Sequence, residues 1–101
     1  MEHMVSYKLK ADRVSENERL VEAVFEALKQ ARPAGLRYAT LRLDDGVSFV
    51  HIVSHAEADG SNALTGLPAF KAFAAGIKER CEEPPVRVGL KVIGAYGFFD
   101  E

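Results

Sequence analysis

Apolar and polar positions alternate from Val5 to Lys10, with Val5, Tyr7 and Leu9 on one side and Ser6, Lys8 and Lys10 on the other. A period of two predicts a half-buried strand. Ser15, Glu16, Asn17 and Glu18 then have the spacing of a capping box, in which Ser15 and Glu18 bond reciprocally. Leu20, Val21, Val24, Phe25 and Leu28 recur at helical spacing, while Glu18, Arg19, Glu22, Glu26 and Lys29 face away. This predicts a helix over about Glu16–Ala31, ended by Pro33 and Gly35.

Arg37 to Leu43 and Val47 to Ser54 read as a hairpin. The stretch SFVHIVSH, Ser48 to His55, is dense in β-branched and aromatic residues, as in a strand at the middle of a sheet. Two turns fit. Asp45-Gly46 as a two-residue turn sets Thr40 opposite His51; Asp44-Asp45-Gly46 as a three-residue loop with a bulge sets Ala39 there. A polar connector follows to Gly66. Pro68 and the stripe Phe70, Phe73, Ala74, Ile77, Cys81 predict a second helix over Pro68–Cys81, stopped by Glu82-Glu83-Pro84-Pro85. Val86–Tyr96 reads as the last strand, with Val86, Val88 and Leu90 on one face and Arg87, Lys91 and Ile93 on the other.

Strand, helix, strand, strand, helix, strand is the order of an α+β fold of the ferredoxin-like, split βαβ kind. It predicts a four-stranded antiparallel sheet, order 4-1-3-2, with both helices on one face. One such domain covers 4–99, and Met1-Glu2-His3 reads as an extension without structural weight. Every strand carries apolar residues on both faces. A second apolar sheet face on a chain this small marks a partner surface, and two copies packed through it would form a barrel. The Gly97–Phe99 tail would add to that contact.

Composition narrows the function. The chain has 101 residues, 48% of them apolar, and a formal net charge of -2 with mixed signs throughout. No basic stripe offers itself to a nucleic-acid backbone, and the longest apolar runs are too short to span a membrane. The chain opens without an export leader, and a single cysteine, Cys81, fits a reducing cytoplasm.

The hairpin RYATLRLDDGVSFVHIVS from Arg37 and the segment LTGLPAFKAFAAGIKERCEEPP from Leu64 carry a resemblance. The chain resembles the dimeric α/β barrel superfamily and, within it, the antibiotic biosynthesis monooxygenase-like proteins. The resemblance implies a homodimer and a pocket between helices and sheet in each subunit. It also implies oxidation of an aromatic or quinol-like substrate by molecular oxygen, with no metal and no other cofactor. A non-catalytic small-molecule-binding or structural homodimer of the same fold is the alternative. The chain has no Trp and no His on its second helix, which argues against the haem-degrading relatives. No family active-site residue transfers here by motif.

The candidate site residues come from the sequence itself. His51 is the candidate catalytic residue, as a general base with a pKa near the usual 6.5; its other reading is a histidine packed in the dimer barrel. Phe70, Phe73 and Ile77 would line the pocket, and Asn62, in the connector from Glu57 to Gly66, would sit at its rim. His55 reads as a solvated strand end. It shares a face with His51, but four strand residues span about 13 Å, too far for one metal ion. Asn17 reads as part of the helix start that could look into the pocket. Tyr7, Tyr38 and Tyr96 read as core or interface aromatics with tethered hydroxyls. Cys81 reads as a buried, inert thiol. A charge at Val53 would strike either core or dimer.

Overall fold

A computed structural model gives the fold and describes residues 2–55 and 63–98. The order is β1 (Glu2–Leu9), a 3-10 turn (Ala11–Arg13), α1 (Val14–Ala31), β2 (Leu36–Arg42), β3 (Ser48–His55), α2 (Pro68–Ala75), α3 (Ile77–Arg80) and β4 (Cys81–Leu90). The strands form one antiparallel sheet in the order β2-β3-β1-β4, the predicted order read from the other edge. The ferredoxin-like plan therefore holds.

Alternation decides which face is the core. Tyr7 and Leu9 of β1 are buried with Phe49, His51, Val53 and His55 of β3. Asn17, Val21 and Val24 of α1, spaced by four and three residues, pack with them, as does Phe73 of α2. Val53 is 3% exposed on this helix-covered face, so a charge there would strike the core. His55 is buried too, its ring 6.0 Å from that of His3, and is not a solvated strand end.

The opposite face is apolar and open. Ala39, Ile52, Met4 and Val88 form one cross-strand row, and Leu41, Val50, Ser6 and Val86 the next. Val86 is 57% exposed and Leu41 49%.

Several local expectations are corrected. The Ser15 capping box does not form: α1 starts at Val14, its N-cap is Arg13, and no side chain caps it. The 3-10 turn, closed by Arg13 N–H to Lys10 O at 2.9 Å, begins the helical path before Ser15. At the other end Arg32 adopts φ 47 and donates to Leu28 O. The hairpin takes the register with Thr40 opposite His51. Its turn is held by Asp45, whose Oδ1 accepts from the amides of Val47 and Ser48 at 3.0 and 2.8 Å. Gly46 carries φ 79 there.

The expected Pro68–Cys81 helix breaks at Gly76, and the last strand starts at Cys81 instead of Val86. Pro84 and Pro85 therefore lie within a strand. They are tolerated because β4 is an edge, paired to β1 alone, with register shifts between Ser6 and Leu9. Glu2 and His3 belong to β1, paired with Ser54 and Val53, so the start of the chain does have structural weight. Among the described residues, no helix is long and apolar enough to cross a membrane.

Candidate active site

A cavity of about 380 Å³ lies between the sheet and the α2–α3 segment. Strand register places its floor: on the helix side, Thr40, His51, Val5 and Arg87 form one row across all four strands. Phe70, Phe73 and Ile77 form its helical wall, so the structure gathers these three around the same space as His51. Leu64 and Thr65 of the connector also line it. Asn62 lies outside the described residues.

The polar groups at the inner end form one chain of hydrogen bonds. Arg80 Nε donates to Asn17 Oδ1 at 3.1 Å, and Asn17 Nδ2 donates to the Tyr7 hydroxyl at 3.0 Å. The Tyr7 hydroxyl meets His51 Nε2 at 2.7 Å. His51 Nδ1 meets the Tyr38 hydroxyl at 2.5 Å and Thr40 Oγ1 at 3.2 Å.

Donor chemistry sets the direction. A guanidinium only donates, so Asn17 must turn its oxygen to Arg80 and its NH2 to Tyr7. Tyr7 accepts that bond, so its proton goes to His51 Nε2. His51 then carries its proton on Nδ1 and donates toward Tyr38 and Thr40. Tyr38 accepts from His51 Nδ1, which leaves the Tyr38 proton for the cavity. Every bond points from Arg80 toward the cavity.

Burial sets the protonation states. His51 is 4% exposed, its ring centroid 5.3 Å from that of Tyr7 and 5.2 Å from that of Phe73. Desolvation lowers its pKa to about 4, so it is neutral at pH 7. Burial raises Tyr7, against the opposing hydrogen bond from Asn17, and raises Tyr38 to about 12, against that from Thr40. Both phenols hold their protons at neutral pH. At the mouth, Arg87 Nη2 donates to His3 Nδ1 at 3.3 Å. Burial and the nearby Arg87 charge lower the His3 pKa. Among the described residues, no three His, Cys, Asp or Glu side chains gather as a metal site.

Sequence reading missed Arg80 and gave Asn17, Tyr7 and Tyr38 lesser roles. The signal for Arg80 was present: 73, 77 and 80 continue the apolar stripe of the helix, so a guanidinium occupies a core position. Asn17 stands four residues before Val21 in the same way. Cys81 is buried, with its thiol pushed up by desolvation, as an inert thiol should be.

Neither a family model nor a curated protein sequence matches this chain. Solved structures do. A Nitrosomonas europaea protein provisionally named an antibiotic biosynthesis monooxygenase superposes with a TM-score of 0.76 at 16% identity, over 95% of this chain and 92% of that one. A similarly named protein of Caulobacter crescentus gives 0.74 at 19% identity, over 92% and 89%. SnoaB of Streptomyces nogalater, a cofactor-independent oxygenase solved as a mutant, gives 0.69 at 16%, over 95% of both chains. The chain thus shares the fold of antibiotic biosynthesis monooxygenase-like structures.

Proposed function

We propose that this protein is a small cofactor-independent monooxygenase that acts, as a homodimer, on a flat aromatic or quinol-like substrate. The observation that carries the reading is the Tyr7–His51–Tyr38 set at the end of an otherwise largely apolar cavity. Such a site holds a ring system by its walls and orients it by a few polar groups. The fold shared with SnoaB supports the reaction class.

In this reading the Tyr38 hydroxyl donates to a substrate oxygen, and His51 fixes Tyr38 in place. His51 serves better as this donor-side support than as a general base. Its Nε2 already accepts from Tyr7, and burial has lowered its pKa to about 4. The substrate, once it has lost its proton to water, is electron-rich enough to react with O2; a ring CH2 and O2 give a ring C=O and water. The low basicity of His51 also favours a second reading, a binding module without turnover.

Oxygen uptake with anthrone separates the two. The expected result is uptake above the buffer rate, one O2 per anthrone, with kcat/KM at least tenfold lower in His51→Gln. A parent that binds anthrone without accelerating uptake is the binding module. A folded His51→Gln protein with full activity removes His51 from the reaction.

The homodimer would form through the open face around Met4, Ile52, Val86 and Val88, with the exposed Phe98 adding to the contact. Leaving this face in water costs about 25 cal/mol per Å² of apolar area. Light scattering at micromolar concentration should give a dimer for the parent and a monomer for Val88→Lys, with the circular dichroism spectrum unchanged. A monomeric parent would exclude this assembly.

A further inference from the structure

We infer that the buried Arg80 guanidinium makes the cavity an anion site, so that an acidic phenol or enol is held there as its conjugate base. Arg80 acts as a positioning residue, through Asn17, Tyr7, His51 and Tyr38. The inference rests on the reading of this cavity as the ligand site, and it assigns the ligand's charge state.

Arg80 is 2% exposed. Its hydrogen bonds go to two neutral acceptors, Asn17 Oδ1 at 3.1 Å and Phe73 O at 2.7 Å. A buried arginine is ordinarily paired with a carboxylate. Here the acidic neighbour is Glu16, and its carboxylate is held by Arg13 at 2.7 and 3.3 Å. Arg13, itself paired with Glu16, also lies near Arg80; the remaining groups facing it are the Tyr7 phenol and the Cys81 thiol, both pushed toward their neutral forms by burial. The positive charge is therefore only weakly compensated by the protein.

Two paths carry that charge to the ligand. The guanidinium carbon lies 5.4 Å from the centroid of Phe73, and the same ring forms cavity wall. The hydrogen-bond chain is the second path, each donor made stronger by the one behind it. The described residues lining the cavity include no Asp or Glu. The ionisable groups among them are His3, Tyr7, Tyr38, His51 and Arg87, and Arg87 adds a second positive charge at the mouth. A neutral ligand would leave this field unanswered; a phenolate or enolate answers it, with its oxygen at the Tyr38 proton.

The test is anaerobic binding of 2-naphthol, whose phenol and phenolate absorb differently. No turnover is involved, so a failed oxygenase assay leaves the result intact. Bound 2-naphthol should titrate at least tenfold more acidic than free 2-naphthol, a pKa lower by about one or more. Arg80→Lys should keep most of that difference, since the charge stays. Asn17→Asp, which sets a carboxylate against Arg80, should abolish it, as should Arg80→Met if circular dichroism shows it folded. Asn17→Asp keeps the test decisive if Arg80→Met does not fold. An unchanged or raised 2-naphthol pKa in the parent overturns the inference. So does a pKa in folded Asn17→Asp as low as in the parent, or the absence of saturable 2-naphthol binding.

Discussion

Asn17→Leu should destabilise the protein by about 2.5–4 kcal/mol, as expected when a buried guanidinium loses one hydrogen bond and a buried phenol loses another. Asn17 is fully buried and joins Arg80 to Tyr7. Leucine fills a similar volume and suits a helix slightly better, so packing and propensity oppose the loss only weakly. What remains is a guanidinium N–H with no acceptor and a Tyr7 oxygen with no donor. A hydrogen bond to a charged group contributes about 1.5–3 kcal/mol, and a neutral one about 1. Urea unfolding followed by circular dichroism measures the difference directly. In heat the midpoint should fall by roughly 10 °C or more, at about 4 °C or more per kcal/mol for a domain of this size. A loss below about 1 kcal/mol would mean that Arg80 had turned out to solvent.

Acid should weaken the fold well before carboxylates titrate. His51 has a pKa of about 4 in the fold and about 6.5 unfolded, so between these values the unfolded chain binds more protons. Stability is then complete above pH 6.5 and falls as the pH drops from 6.5 toward 4. The full difference is on the order of 3 kcal/mol, since each tenfold change in proton affinity is worth about 1.4 kcal/mol. His3, also lowered by burial, adds in the same direction. Glu2, Glu16 and Asp45 are lowered below their usual values by hydrogen bonds, so their contributions are lost at lower pH still. Urea midpoints at pH 7 and pH 5 should therefore differ clearly, and in a folded His51→Gln protein the difference should shrink. An equal difference in both proteins would assign the acid sensitivity to other groups.

Much of the fold could be read from periodicity. The alternation in Val5–Lys10 and SFVHIVSH, and the helical stripe of Val21 and Val24, each record a face buried against another layer. Burial is what period two and period 3.6 encode. The same rule made the open face around Val86 and Val88 visible, because apolar residues there have no place on the helix side.

Capping and element ends followed the wider chain instead. Ser15 has capping-box spacing, but the chain leaves β1 through a 3-10 turn and enters the helix before it. Pro84 and Pro85 look like breakers, yet an edge strand has amides that need no partner, and only the sheet order reveals which strand is the edge.

The candidate site divides along the same line. Sequence by itself determined that His51 shares a strand face with Phe49 and Val53, and that Phe70, Phe73 and Ile77 share a helix stripe, because local geometry repeats along one element. It could not choose between Thr40 and Ala39 opposite His51, since register depends on how Asp45 folds the turn. Nor could it join Arg80 to Asn17 or Tyr7 to His51, which are 63 and 44 positions apart in the chain. Those links were decided by the tertiary structure, where helix packing excludes water and each buried donor must find an acceptor within about 3 Å.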